Sequence, residues 1–484
     1  MSSSLAQVTA SQVVDTQVRW PIVVALAVGA RILLLPITHT WDSQTWFNII
    51  IELARFDSIL DAVRSPYETM RDLSLLSRSQ RLGLYYEYWA YPPLLLYVYY
   101  LLVKLVSHLG VDVLTDAVFN SPETLAWSVM PLPLLVAVKL PAIVADLGIA
   151  ASLARLGGVP AAARSYLLNP YVLLMSAWMF DSVMVLCLLI GVFLAERRRM
   201  FWAGVAIGLG ASTKLVPVLA LPAIVLWALR SLPAPMAPVA RLGAGFVMAF
   251  ALLCWPVADG LAYVLQFHAE RRGGGLTWQG AWLGATWWLP HFDWQPILIS
   301  VSPSVGTAAL GLTLLLALTI GWVRALNVRT YTLILLLAYL IGAKLVNEVY
   351  ALPVVCLALL ESTHRGGASR LVAARLLWLI PLLYAAVNVP VWGFFIPVAD
   401  ALGLVTPDEV KALHEIRMLI IGQTWILLAV LGLAFTMLCV ASIAIFSQGA
   451  PDDYTASHRA GDVLTHHGRG SLARLYGRPH DFPE

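Results

Sequence analysis

Apolar residues run along this chain in long blocks, and the breaks between blocks hold arginine, proline or an acid. A membrane-crossing helix takes about 20 mostly apolar residues. The first such block runs from Trp20 to Ile37. Others occupy 89–107, 131–154, 160–195, 200–229, 239–258, 303–323, 330–343, 349–361, 376–392 and 418–446. The pattern predicts an all-α polytopic membrane protein with roughly 11–14 transmembrane helices.

Basic residues order these blocks, because cytoplasmic turns collect Lys and Arg. Arg19, Arg155 with Arg164, Arg197-Arg198-Arg199, Arg230 with Arg241, Arg324 with Arg329, and Arg365 with Arg370 and Arg375 mark such turns. Residues 1–19 are then a cytoplasmic N-terminal segment, and 38–88 is an extracytoplasmic loop. The N-terminal stretch lacks the cationic start and cleavage site of a secretory signal, so the first span is expected to be retained. Within the loop, Trp46, Ile50, Leu53, Phe56, Leu60 and Val63 recur at helical steps, predicting an interfacial helix over 44–64.

Three blocks too long or too polar for single spans predict hairpins. Asn169-Pro170 and Asp181 interrupt the first, Lys214 lies between Gly210 and Pro217 in the second, and Lys344, Asn347 and Glu348 divide 330–361. All three turns are expected outside, as is a long loop over 259–302. The parity of 89–154 stays open. If Lys104 and Arg155 are both cytoplasmic, Met130 to Leu153 must itself turn near Lys139-Leu140-Pro141. Residues 20–230 read as a catalytic membrane module, 231–446 as variable membrane helices, and 447–484 as a flexible cytoplasmic tail.

Composition agrees with this layout. Of 484 residues, 60% are hydrophobic and 12% charged, against about a quarter charged in a soluble domain, which excludes a conventional soluble enzyme. Lys plus Arg is 31 and Asp plus Glu 28, too even a balance to suggest nucleic acid as a partner. The bilayer is the expected one. Cys187, Cys254, Cys356 and Cys439 are far apart, lack metal-ligand spacing and read as core residues.

Ionisable groups at membrane depth cost several kcal/mol unless paired or hydrated, so each is a functional candidate. Asp42, in His39-Thr40-Trp41-Asp42-Ser43, follows the first span directly; it also reads as a helix N-cap. Tyr91 lies in Trp89-Ala90-Tyr91-Pro92-Pro93, whose prolines suit the first turn of the next helix. Asp181 and Lys214 reach one face, where they can pair structurally or the lysine can meet an anionic headgroup. In His268-Ala269-Glu270-Arg271-Arg272-Gly273-Gly274-Gly275, an arginine pair outside breaks the positive-inside tendency. A phosphate would explain it: guanidinium forks bind phosphate bidentately and glycines let backbone amides approach. The sequence holds no P-loop, dinucleotide fingerprint, zinc spacing or Gly-x-Ser-x-Gly elbow.

Taken in order, these motifs resemble the GT-C superfamily of polyprenyl-phosphate-sugar-dependent glycosyltransferases. They look most like GPI mannosyltransferase I catalytic subunits and are similar to dolichyl-phosphate-glucose-dependent glucosyltransferases. The resemblance spans about residues 20–361. It lies in Asp42, Ser65-Pro66-Tyr67, Tyr91-Pro92-Pro93-Leu94, Lys139-Leu140-Pro141 with Asp146-Leu147, and Leu168-Asn169-Pro170 with Asp181-Ser182. Lys214 with Pro217, the basic loop at 268–275, and Lys344 to Tyr350 extend it.

It implies a GT-C-like bundle and transfer of a hexose, mannose favoured and glucose the alternative, with inversion. The donor would be a polyprenyl- or dolichyl-phosphate sugar and the acceptor a hydroxyl of a glycan or glycolipid. Asp42 would be the catalytic base. Arg271, Arg272, Lys214 and His268 would hold the donor phosphate, with Asp181, Tyr91, Lys139, Asn347, Glu348 and Tyr350 in support. No cofactor is implied, and with Ser43-Gln44 following Asp42, a divalent metal held by paired acids is in question. The competing class is a lipid-linked sugar transporter or flippase, which would also place Lys139, Lys214 and Lys344 near membrane depth.

Overall fold

The computed structural model describes residues 20–35, 49–74, 89–111, 132–178, 180–270, 274–281, 295–388, 404 and 406–448. The described part is helical apart from one two-residue strand pair, and the chain is an all-α polytopic membrane protein. In chain order the helices are α1 (Trp20–Leu33), α2 (Ile59–Ser74), α3 (Leu94–His108), α4 (Leu132–Arg155), α5 (Pro160–Leu167), α6 (Pro170–Trp178), α7 (Asp181–Glu196) and α8 (Met200–Ala211). They continue as α9 (Ala220–Ser231), α10 (Met236–Cys254), α11 (Ala258–Glu270), α12 (Gln295–Val323), α13 (Val328–Gly342), α14 (Leu352–Arg365), α15 (Ala368–Asn388) and α16 (Pro407–Ser447). Strands β1 (Gly274–Gly275) and β2 (Leu345–Val346) pair in parallel.

Among the described residues five helices are long and apolar enough to cross a membrane, or six if the bent pair α6–α7 counts as one span. Five further apolar helices are shorter, at 10–17 residues. Against the 11–14 spans expected from the blocks, the described residues thus supply five or six helices of crossing length and five shorter apolar ones. The chain bends by 119° between α6 and α7. Asn169 starts α6: its side-chain oxygen accepts from the N–H groups of Tyr171 (2.9 Å) and Val172 (3.4 Å), and Pro170 takes the first helical position.

One end of the bundle collects the arginine turns. Arg197 donates to Leu156 O (2.8 Å), and Arg230 to Gly321 O and Leu326 O. Arg329 pairs with Glu196 (2.7 Å), and Arg365 with Glu361 (2.9 Å) and Thr330 (2.8 Å). This basic end therefore unites the close of α4, α7, α9, α12 and α14 with the start of α13. The buried carboxylate of Glu361 needs such partners, because an uncompensated charge there would be costly.

A second ion cluster lies inside. Arg31 of α1 meets Asp146 of α4 at 2.8 Å, both side chains essentially inaccessible, and Tyr166 donates to the other carboxylate oxygen at 2.8 Å. Helix α8 packs along α10 through glycines: a Cβ at Gly204 would collide with Leu242 O, and one at Gly208 would lie 2.8 Å from Phe246 O. Small residues let membrane helices approach at backbone distance.

Three expectations change. First, Leu132–Arg155 is one continuous helix, with Pro141 inside it, so no hairpin turns at Lys139-Leu140-Pro141. Second, Lys104 does not join Arg155 at the basic end. Its ammonium lies 3.7 Å from Asp57 and donates to Ala54 O, both in the first loop, so α3 stays with that loop. The parity conflict at 89–154 disappears with these two findings. Third, the single helix expected over 44–64 is broken. A short helix covers 49–54, the chain turns at 55–58, and Ser58 accepts from Asp61 N to start α2. Residues 44–48 of that expectation, and the 1–19 segment and most of the 447–484 tail, lie outside the described residues.

Candidate functional site

The three hairpin turns meet at the end of the bundle away from the arginine turns. Lys214 lies three residues beyond the last residue of α8 and Asp181 opens α7. The Lys214 ammonium stands 2.7 Å from Asp181 Oδ1, with the two side chains 7% and 0% accessible. Each charge sits where the helix dipole favours it, the cation at a C-terminus and the carboxylate at an N-terminus. Of the two readings open from sequence, the resting structure realises the pair.

Aromatic rings enclose the ammonium. It lies 4.0 Å from the centroid of Tyr350 and 5.3 Å from that of Tyr91, within cation–π range. Tyr91 in turn packs edge-on against Trp89 (5.4 Å) and Phe180 (5.3 Å). Trp89 stands beside Tyr91 in sequence, but no local signal shows that Phe180, next to Asp181, shares the same cluster.

Three elements hold the 89–94 segment. His268 Nε2 lies 2.8 Å from Ala90 O, Tyr67 donates to Tyr91 O at 2.6 Å, and Leu94 N donates to Ser212 O at 2.8 Å. Burial pushes the Tyr67 phenol well above its ordinary pKa, so the hydroxyl stays protonated and donating. The Tyr350 segment is fixed as firmly. Buried Glu348 accepts from Asn388 (2.8 Å) on its carboxylate and from Tyr171 (2.6 Å) on its carbonyl. Asn347 O accepts from Tyr350 N, and Lys344 donates to Ala269 O at 2.7 Å. Asn388 and Tyr171 were invisible as site residues because their common partner, Glu348, lies 40 and 177 residues away along the chain.

Lys214, Asp181, Tyr91 and Tyr350 therefore form one cluster, with Glu348, Asn347 and His268 bracing it. Lys139 stands apart from these contacts: it is buried in α4 and donates to Leu35 O, where the chain leaves α1 for the loop carrying Asp42. Asp42, Arg271 and Arg272 lie outside the described residues. Among the described residues no three His, Cys, Asp or Glu side chains come together as metal ligands.

The cluster is recessed. Helix α8 has 12 residues and α13 has 15, giving about 18 and 22 Å of rise at 1.5 Å per residue, against about 30 Å of bilayer hydrocarbon. The neighbouring α12 has 29 residues and continues past Gly306, which lies beside Lys344, whereas α11 closes at that level, where Ala269 O meets Lys344. Short hairpins make a floor and α12 rises beside it. Comparison with known proteins found no family model that matches the chain, and no curated protein matches it.

Proposed function

We propose that the protein is an inverting, polyprenyl-phosphate-sugar-dependent hexosyltransferase whose site opens on the extracytoplasmic side. The observation that carries this reading is the buried Lys214–Asp181 pair under Tyr91 and Tyr350, in a recess at the end opposite the arginine turns. Cytoplasmic turns collect arginine, and this tendency supports an extracytoplasmic recess.

A lipid-linked donor suits such a recess. Its chain occupies hydrocarbon while its phosphate and sugar reach the floor, where a lysine supplies charge and ring faces pack on the sugar. The departing polyprenyl phosphate is already ionised, so a cation suffices to stabilise it. The acceptor hydroxyl must lose its proton as its oxygen bonds to the anomeric carbon and the carbon–phosphate-oxygen bond breaks. One carboxylate can take that proton, a role worth about 10²–10⁴ in rate. Asp42 is assigned that role, with Arg271 and Arg272 beside Lys214 on the phosphate. Mannose is the favoured sugar, on the resemblance alone, with glucose as the alternative.

The test uses purified full-length protein in liposomes, polyprenyl-phosphate mannose or glucose with a radiolabelled sugar, and a glycolipid acceptor. Transfer to the acceptor is expected, and Asp42→Asn abolishes it while donor binding persists. Full turnover by Asp42→Asn removes that residue from the mechanism. Movement of the labelled lipid across the bilayer with no new glycosidic bond identifies a flippase instead.

A further inference from the structure

A second polar site lies away from the Lys214 cluster. Helix α2 of the first loop packs against the junction of α10 and α11, and between them opens a cleft of about 460 Å³. Arg64, Glu68 and Arg71 line it from α2; Asp259, Gly260 and Tyr263 line it from α11, with Trp255 and Pro256 at the junction. Spacings of four and three residues set Arg64, Glu68 and Arg71 on one stripe of α2. Arg64 Nε donates to Pro256 O at 3.0 Å, which anchors that guanidinium at the junction beside the cleft. The two helices touch closely beneath the cleft, where a Cβ at Gly260 would lie 2.9 Å from Tyr67 Cγ.

Depth identifies the surroundings. Gly204 of α8 abuts Leu242 of α10, so Arg241 is level with Arg199 at the basic end. From Arg241, α10 rises about 20 Å to Cys254; a 3-10 turn over Trp255–Val257 then leads into α11, whose close meets Ala90 and Lys344 at the level of the Lys214 cluster. The cleft therefore straddles the boundary where acyl chains give way to headgroups. Below it, Leu252 and Trp255 project outward at 76% and 80% exposure, a surface for acyl chains. Tryptophan is enriched at that boundary.

Charge identifies the occupant. Arg71 Nε already pairs with Asp72 at 3.1 Å, so a phosphodiester would bridge Arg64 and the outer edge of that guanidinium, while Glu68 and Asp259 would repel a plain anion and attract an ammonium. An alternating cation–anion lining matches a headgroup that carries both charges on adjacent atoms. A primary amine can donate hydrogen bonds to the carboxylates; a quaternary amine cannot.

We propose that the cleft between α2 and the α10–α11 junction is a binding site for a membrane phospholipid with a phosphoethanolamine headgroup, the phosphate on Arg64 and Arg71 and the amine on Glu68 and Asp259. Tyr67, at the back of this cleft, also holds Tyr91 O, so the lipid braces the segment that roofs Lys214.

The experiment is native mass spectrometry of the full chain with phosphatidylethanolamine, phosphatidylglycerol and phosphatidylcholine of identical acyl chains. The ethanolamine lipid is expected to bind at least tenfold more tightly than the other two. Arg71→Ala, at an exposed position, weakens it about tenfold. The double variant Glu68→Gln, Asp259→Asn removes the preference over phosphatidylglycerol while the melting temperature is retained. Equal binding of the three lipids by the unsubstituted protein overturns the proposal without recourse to any variant. So does an unchanged preference in the double variant, and so does equally effective competition by free phosphoethanolamine, which would make the ligand a soluble one.

Discussion

Lys214 presents its ammonium to the ring face of Tyr350, 4.0 Å from the centroid, while Asp181 holds the same ammonium at 2.7 Å. A carboxylate and a ring from two other hairpins thus fix one cation, and each can be removed separately. Lys214→Ala leaves Asp181 buried without its charge partner, a loss of about 3–5 kcal/mol. The pair replaced together, as Lys214→Met with Asp181→Leu, recovers most of that stability but no transfer activity. Thermal melting in detergent alongside a transfer assay reads both effects; a stable double variant with normal turnover would restrict the pair to a structural role.

Tyr350→Leu keeps an apolar side chain in most of the same space but removes the ring face beside the ammonium. Donor use should fall by more than tenfold while melting shifts little. An equal fall for donor and acceptor would separate Tyr350 from the donor half of the site.

The Arg31–Asp146–Tyr166 cluster is a structural prediction free of any assumption about chemistry. Tyr166→Phe removes one hydrogen bond to a charged group and should cost about 1.5–3 kcal/mol, whereas Asp146→Leu strands the Arg31 guanidinium and costs more. Denaturation midpoints for the two variants provide the comparison, and the opposite ranking would mean that the cluster is hydrated.

Gly204→Leu forces a side chain into the backbone of α10, and backbone cannot give way as a side chain can. Its cost should exceed the about 1–3 kcal/mol of ordinary overpacking. A Cβ at Gly243 would meet nothing within 4 Å, so Gly243→Ala is the control and should be neutral or slightly stabilising. Expression level and melting temperature decide between them.

The N-terminus of α16 supplies a pH prediction. Thr406 and Glu409 form a capping box: Thr406 N donates to Glu409 at 2.7 Å and Glu409 N to Thr406 at 3.4 Å. The bonds from Thr406, its backbone N–H first, hold the Glu409 carboxyl below its ordinary value of 4.5. A depressed carboxyl contributes stability above its unfolded pKa and loses it as pH falls through the folded one. Protection of the first-turn amides, taken relative to their intrinsic exchange at each pH, should therefore fall as pH drops below 4.5 in the native chain, and Glu409→Gln should flatten that dependence.

The hairpins carrying Asp181, Lys214 and Tyr350 were legible in the sequence because a charge amid apolar residues is expensive and marks a turn or a partner. The direction of α3 was not. An apolar block gives length and face but says nothing of which end its neighbours occupy, and the side chain that decides the matter, Lys104, finds Asp57 only in three dimensions. Arg31 hid for a related reason: within the first apolar block it looks like a helix-end cation, and its partner Asp146 lies far along the chain. Closure of Tyr350 over Lys214 likewise depends on Tyr171, Asn388 and the Gly275–Val346 pairing, none of them local.

The unequal helix lengths have a consequence for the surrounding membrane. Helix α13 is buried along almost its whole length, so protein and not lipid meets its shortness; where α8 turns Trp202 outward a stubby helix does face the membrane, and lipids there must shorten or tilt, so that the sheet of lipid puckers inward. In reconstituted bilayers of graded chain length, turnover should peak where the natural slab matches that dent, and fall on the thicker side as the gap to the recess grows.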